Sequence, residues 1–176
     1  MNLACYVTLS RIFLIIPIIY FISSGNQYLA LSLFLLAGFT DYLDGFIARR
    51  TKTESSLGAL LDLLADKLLV CLVLLWCAVI SESLLIVVAT FIIICRELTI
   101  SSLRQFLVEK IGQNPIKVSY VAKSKTTVQF ISISFLILSL EKGDFLINIA
   151  IFLFWIAALL SVYSLINYFK IYKDYL

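Results

Sequence analysis

The sequence predicts an all-α integral membrane protein, a bundle of six transmembrane helices, and three observations lead there. Hydrophobic residues make up 62% of the 176-residue chain, against roughly 45–50% in soluble domains. These residues gather into separate runs, each approaching the roughly 20 residues that cross a bilayer. The basic residues fall on one set of connections between those runs and avoid the other. With a mean hydropathy of +1.04, the chain has no stretch that reads as a soluble module, and a single membrane domain over residues 1–176 is expected.

In chain order the predicted spans are Thr8–Ser23, Tyr28–Ala48, Gly58–Ile80, Leu84–Leu107, Thr126–Leu140 and Phe145–Ile166. The first is short, with Arg11 near its start and Pro17 inside. A membrane helix tolerates proline where neighbours satisfy the freed carbonyl, and residues ahead of Arg11 are expected to lie along the interface. The second ends in the basic pair Arg49 and Arg50, and the fourth carries Arg96, Glu97 and Arg104 within its apolar run. The fifth is short and is approached through Lys123 and Lys125, whereas the sixth is apolar throughout. Six crossings place both termini on one side.

Arg49, Arg50 and Lys52 follow the second span, Lys110, Lys117, Lys123 and Lys125 lie between the fourth and fifth, and Lys170 and Lys173 follow the sixth. The opposite connections, Ser24 to Gln27, Ser81 to Ser83 and Glu141 to Asp144, hold only Lys142. Basic loops stay in the cytosol, so both termini and the loop after Arg49 are expected there. Tyr163, Tyr168, Tyr172 and Tyr175 suit an interfacial aromatic belt, some of them packing against neighbours instead.

Several classes drop out. The start lacks the charged, apolar and small-residue pattern of a cleaved signal, so Met1 onward is expected to be mature protein. Cys5, Cys71, Cys77 and Cys95 lie in or beside apolar runs of a chain without histidine, so they read as small buried hydrophobes and not as zinc ligands. The net charge of +3 comes from dispersed loop residues with no continuous basic stripe, and no nucleic-acid partner is expected.

The informative residues are Asp41 and Asp44 near the end of the second span and Asp62 and Asp66 near the start of the third. A charge at the centre of a membrane helix costs about 2.5–3.5 kcal/mol even on insertion-based scales, so intramembrane acids face a bundle interior or a watery cavity. Snorkelling suits long Lys and Arg side chains better than short Asp. Spacings of three and four place each pair on one helix face. If the two helices run antiparallel, Asp44 and Asp62 share one depth, and Asp41 and Asp66 share another one turn deeper. Four clustered carboxylates need compensating cations, and an all-oxygen set favours Mg²⁺ or Mn²⁺, hence a two-metal site. Gly45 and Gly58 suit either helix packing or close approach of a phosphate to the backbone. Arg49 at the same edge suits diphosphate binding.

The pattern Asp41-x2-Asp44-Gly45-x2-Ala48-Arg49-x8-Gly58-x3-Asp62-x3-Asp66 resembles the signature of the CDP-alcohol phosphotransferases at all of its eight positions. The resemblance implies that Asp41, Asp44, Asp62 and Asp66 ligate two divalent cations. It further implies that Gly45, Ala48, Arg49 and Gly58 surround CDP-diacylglycerol. Asp66 is the implied general base, taking the proton of an acceptor hydroxyl as its oxygen attacks the lipid-linked phosphorus and CMP leaves. The fold implied is that family's membrane bundle; because a site in bulk water would not suit a diacyl substrate, its cavity is expected to open sideways to lipid and downwards to the cytosol.

The stretches Cys95 to Arg104 and Val118 to Thr127 resemble the bacterial phosphatidylglycerophosphate synthases within that family. This implies sn-glycerol 3-phosphate as acceptor, with its phosphate answering Arg96, Arg104, Lys123 and Lys125. A bacterial-type cell membrane with a cytosol-facing site, membrane lipids as surroundings and a homodimeric assembly are expected. Near the start, Thr8 and Arg11 are similar to the family, but Ala4-Cys5 stands where many relatives carry Pro-Asn, leaving no Asn there for a nucleotide contact. Each base has a plainer reading, as a topology anchor for Lys123 and Lys125 or as a Glu97 ion pair for an arginine. Competing functions are a synthase of phosphatidylserine, an inositol phospholipid or cardiolipin, an ion or proton transporter, and a purely structural bundle. Release of CMP separates the enzymes from the last two.

Overall fold

The computed structural model describes residues 3–51, 56–111, 120–140 and 144–172, with side chains for 9–40, 61, 63–110, 126–140 and 145–170. They form six helices: α1 (Leu3–Ser23), α2 (Gln27–Thr51), α3 (Ser56–Ser81), α4 (Leu84–Ile111), α5 (Tyr120–Ser139) and α6 (Asp144–Tyr172). No strand occurs among the described residues. Each helix contains its predicted apolar span almost entirely, so the all-α fold is as expected. The helices run past the apolar runs mainly at the basic ends, because hydropathy marks where lipid stops while the hydrogen-bonded backbone continues into polar surroundings.

At the N-terminus α1 begins at Leu3, so the residues from there to Arg11 are helical and continuous with the first apolar span. Pro17 lies inside α1 without ending it. Arg11 is only 1% exposed, a cation taken into the bundle near the start of the apolar run.

Two tight connections set helix order. Gly25, at φ +79°, ends α1, with its N–H donating to Ile22 O and the Asn26 N–H donating to Phe21 O at 2.9 Å. That pair of bonds is a Schellman turn, which needs a left-handed residue and so favours glycine. Between α3 and α4 the left-handed residue is Glu82, at φ 51°. Ser83 O then accepts from the N–H groups of Ile86 and Val87, starting α4.

Helix α1 packs against α2 and α3, α4 against α3 and α6, and α5 against α2, α3 and α6. The two acid-bearing helices, α2 and α3, therefore share α1 and α5 as neighbours. One buried apolar cluster draws on all six helices, from Ile18 and Phe34 through Leu74 and Ile93 to Leu136 and Phe154. Trp76 Nε1 donates to Ser23 Oγ at 2.9 Å, tying α3 to the end of α1. A smaller cluster of Ile100, Leu103, Leu107 and Tyr168 joins the later part of α4 to α6.

The outside of the bundle is apolar as well. Phe13, Phe91 and Phe145 are 67%, 69% and 77% exposed, a surface that water would penalise and hydrocarbon would not. Stretches within α3, α4 and α6 are long and apolar enough to cross a membrane, and the described apolar stretches of the other three are shorter. The same outward face accounts for a departure among the thiols. Cys77 is buried and Cys71 half-buried, but Cys95 is exposed, so its apolar surroundings are outside the bundle instead of within it. The Cys5 side chain lies outside the described residues.

Candidate functional site

The predicted site residues divide among four helices. Asp41, Asp44, Gly45, Ala48 and Arg49 lie in α2, Gly58, Asp62 and Asp66 in α3, Arg96 and Arg104 in α4, and Lys123 and Lys125 in the first turns of α5. Uninterrupted helix through each acidic pair gives the three- and four-residue spacings the helical register assumed for them. Among these residues, side chains are described for Asp66, Arg96 and Arg104; those of Asp41, Asp44, Gly45, Ala48, Arg49, Gly58, Asp62, Lys123 and Lys125 lie outside the described residues.

Asp66 is exposed and lines a cavity of about 80 Å³ with Lys67, Val70 and Cys71 of α3, Glu97 of α4, and Thr126, Gln129 and Phe130 of α5. Three helices thus converge on the last acid of the pattern. Gln129 is buried, and Phe130 stacks on buried Phe34 of α2, with ring centroids 4.4 Å apart and planes at 18°. Through that stack α2 supports the same wall.

A charged network extends from the cavity into the bundle. Lys67 Nζ donates to Glu97 Oε2, and Arg96 Nη1 donates to Glu97 Oε1 at 3.1 Å. Arg96 Nη2 donates to Ser164 Oγ of α6 at 2.8 Å. Glu97 therefore bridges two cations across α3 and α4, and Arg96 carries the connection to α6. Glu97, Arg96 and Ser164 are buried, and Lys67 is half-buried; a buried charge is stable only when paired and hydrogen-bonded. The plainer sequence reading, a Glu97 ion pair for one arginine, is realised at Arg96.

Two turns further along α4, half-buried Arg104 donates from Nη2 to Tyr168 Oη at 3.2 Å. Both arginines thus reach towards α6, as their eight-residue separation suggested. Tyr168 is 6% exposed, so it packs inside the bundle, while Tyr163, at 60%, faces outward as a belt residue would. The Nε atoms of Arg96 and Arg104 are buried without a hydrogen-bond partner among the described residues, leaving donor capacity that a phosphate could take up.

Sequence reasoning missed Lys67. A lysine directly after the last acid of the motif, inside an apolar helix, was the available signal, since such a cation is costly unless it is paired or functional.

For a divalent cation, the pertinent property is the donor set. Asp66, Glu97, Thr126 and Gln129 give the described lining mostly oxygen ligands, which suits hard Mg²⁺ or Mn²⁺. No group of three or more acidic or thiol ligands occurs among the described residues, the other acids of the pattern lying outside them.

Comparison with known proteins identifies the family of the chain. A family model of the CDP-alcohol phosphatidyltransferases matches residues 1–163. The chain is 32% identical over 175 residues to the CDP-diacylglycerol–glycerol-3-phosphate 3-phosphatidyltransferase of Haemophilus influenzae, covering 98% of this chain and 94% of that one. It is 36% identical over 181 residues to the protein of the same name from Rickettsia bellii, covering 99% and 97%. The counterpart from Wigglesworthia glossinidia brevipalpis is 32% identical over 174 residues, covering 97% and 94%.

Proposed function

The chain belongs to the CDP-alcohol phosphatidyltransferase family, and on that premise we propose that it transfers the phosphatidyl group of CDP-diacylglycerol to sn-glycerol 3-phosphate. The products are phosphatidylglycerophosphate and CMP, a step in phospholipid biosynthesis. The observation that carries this reading is Asp66, last acid of the eight-position pattern, standing on a cavity whose wall joins it to the cationic network of α4. The relatives' names supply the acceptor.

Asp66 acts as the general base. Its carboxylate takes the proton from the acceptor hydroxyl while that oxygen attacks the β-phosphorus of CDP-diacylglycerol, the phosphorus bonded to the diacylglycerol oxygen; the bond to CMP breaks and CMP departs with the electron pair. A chain without histidine leaves carboxylate chemistry as the natural choice. Gly45, Ala48, Arg49 and Gly58 surround the CDP group, and Arg96, Arg104, Lys123 and Lys125 serve the acceptor phosphate, Arg104 with the freer guanidinium of the two arginines.

The family is generally dependent on divalent cations. Asp41, Asp44, Asp62 and Asp66 would hold two, Mg²⁺ or Mn²⁺. When bound, they would neutralise the diphosphate and stabilise the charge developing on CMP.

The apolar helices and the family make this a membrane protein. Its place in a bacterial-type cell membrane, with the site facing the cytosol, rests on the distribution of Lys and Arg among the loops. Assembly as a homodimer belongs to the same proposal and is tested by cross-linking in native membranes.

The deciding experiment is turnover by purified protein with CDP-diacylglycerol and a panel of alcohols. CMP release with sn-glycerol 3-phosphate well above that with serine, inositol or phosphatidylglycerol is expected. Preferential use of serine would overturn the acceptor, and no CMP release with any alcohol would overturn the reaction.

A further inference from the structure

We infer that Lys67 is a further acceptor-binding residue, its ammonium aimed at the phosphate of the incoming alcohol by Glu97, which acts as a positioning residue. The inference deepens the proposed function and rests on it. Lys67 is the one cation lining the cavity among the described residues, and it adjoins Asp66 in sequence. A base must lie within hydrogen-bond reach of the hydroxyl it deprotonates. In glycerol 3-phosphate that hydroxyl is separated from the phosphate by a short carbon chain, so a cation near the base is placed to hold the phosphate.

Lys67 has a long, flexible stem that could carry its charge in many directions. Glu97 removes that freedom by accepting from Lys67 with one oxygen and from Arg96 with the other. Arg96 is held in turn by Ser164. The chain of contacts spans α3, α4 and α6 and leaves the Lys67 side chain 23% exposed, against 9% for that of Glu97. Lys67 is consequently the accessible end of a braced network. Asp66 and Arg104 both act electrostatically on the same ammonium, so three cations, Lys67, Arg96 and Arg104, stand against the two carboxylates of Glu97 and Asp66, and the cluster keeps an excess positive charge. A phosphate dianion is the chemical class that balances such a cluster.

A purely structural Lys67–Glu97 pair would stabilise the helices without distinguishing between substrates. The test measures KM for sn-glycerol 3-phosphate and for CDP-diacylglycerol separately, with thermal melting of each protein in detergent. It uses the full-length parent, Lys67→Gln, Lys67→Arg, Glu97→Asp and the Lys67→Gln/Glu97→Asp double variant. Lys67→Gln should raise the acceptor KM about ten- to hundredfold, the range for loss of one charged hydrogen bond, with little change for CDP-diacylglycerol. Lys67→Arg should retain most of the acceptor affinity. Glu97→Asp keeps the charge but draws the ammonium back, so it should raise the acceptor KM less. The double variant should fall short of the sum of the two single effects, because Glu97 acts partly through Lys67, its remaining influence passing through Arg96.

Equal increases in both KM values, failure of arginine to rescue, or additive effects in the double variant would overturn the inference. If Lys67→Gln does not fold, Glu97→Asp decides by the same split between substrates. A parent enzyme that ignores glycerol 3-phosphate would defeat the proposed function itself, and this inference with it.

Discussion

The ring of Phe130 in α5 occupies the space that a β-carbon on Gly38 of α2 would need, with Cε2 2.7 Å from that position. The same ring is stacked on Phe34 and forms part of the cavity wall beside Asp66. Gly38 thus lets α2 and α5 approach closely, as small residues do between membrane helices. In an unencumbered helix, Gly→Ala would stabilise by roughly 1 kcal/mol. Here Gly38→Ala should have the opposite sign, costing about 1–3 kcal/mol as the ring leaves its stack, with reduced CMP release because the cavity wall moves. Adding Phe130→Leu should recover part of the melting temperature. A single variant more stable than the parent would show that the close approach is not limiting.

Asp66→Asn preserves size and removes the proton acceptor. Transfer should fall by about 10²–10⁴-fold, the usual contribution of general acid–base catalysis, while the protein still folds because Asp66 is exposed at the cavity. Single-turnover transfer, bound metal and CDP-diacylglycerol affinity should be measured separately, since the variant also removes a proposed metal ligand. Fast transfer in the first measurement would exclude Asp66 as the base.

The fold was readable in the sequence because lipid imposes its demand directly on composition: six apolar runs became α1 to α6. Helix ends were less readable. Helix α6 runs to Tyr172, beyond its apolar span, because continuing a helix needs only backbone hydrogen bonds once the chain has left hydrocarbon. At the site, the spacing of Arg96 and Arg104 correctly suggested a common direction, but not that Ser164 and Tyr168 of α6 would receive them. Those partners are more than 60 residues away in the chain, and no local pattern encodes such a pairing. Tyr168 illustrates the ambiguity, since an aromatic near a membrane helix end suits the belt and the bundle equally until packing decides. The eight-position acidic pattern was legible because its partners are close in sequence, whereas the Lys67–Glu97 bridge joins α3 to α4.

Glu82 between α3 and α4 is a side-chain-bearing residue at φ 51°. The left-handed region costs such a residue roughly 1–2 kcal/mol, partly offset on replacement by glycine's greater freedom in the unfolded chain. Glu82→Gly should therefore be neutral to stabilising by up to about 1 kcal/mol, with unchanged turnover, read from melting in detergent. A clear loss of stability would mean that the Glu82 side chain contributes something its backbone strain conceals.

The proposed orientation predicts that a cysteine at Thr53, introduced after the native thiols are replaced, is protected from an impermeant maleimide in sealed cells and labelled after lysis. One at Glu82, on the other set of connections, should be labelled from outside. The reverse pattern would turn the cytosolic site to the other face, where CMP release into the cytosol could not occur.

Arg104 allows the acceptor assignment to be separated from structural support. Its Nη2 is engaged by Tyr168, while its buried Nε has no partner among the described residues. Tyr168→Phe removes one hydrogen bond and should cost about 0.5–1.5 kcal/mol in stability, with a modest rise in acceptor KM because the guanidinium loses an anchor. Arg104→Gln removes the charge itself, and losing a charged hydrogen bond of about 1.5–3 kcal/mol corresponds to one to two powers of ten in acceptor affinity. Lys125→Gln should act in the same direction. For all three, CDP-diacylglycerol affinity should change much less, because a defect confined to the acceptor cannot arise from general loosening of the bundle. If Arg104→Gln weakens both substrates equally while Tyr168→Phe matches it, the arginine is holding α4 to α6 and the phosphate is bound elsewhere.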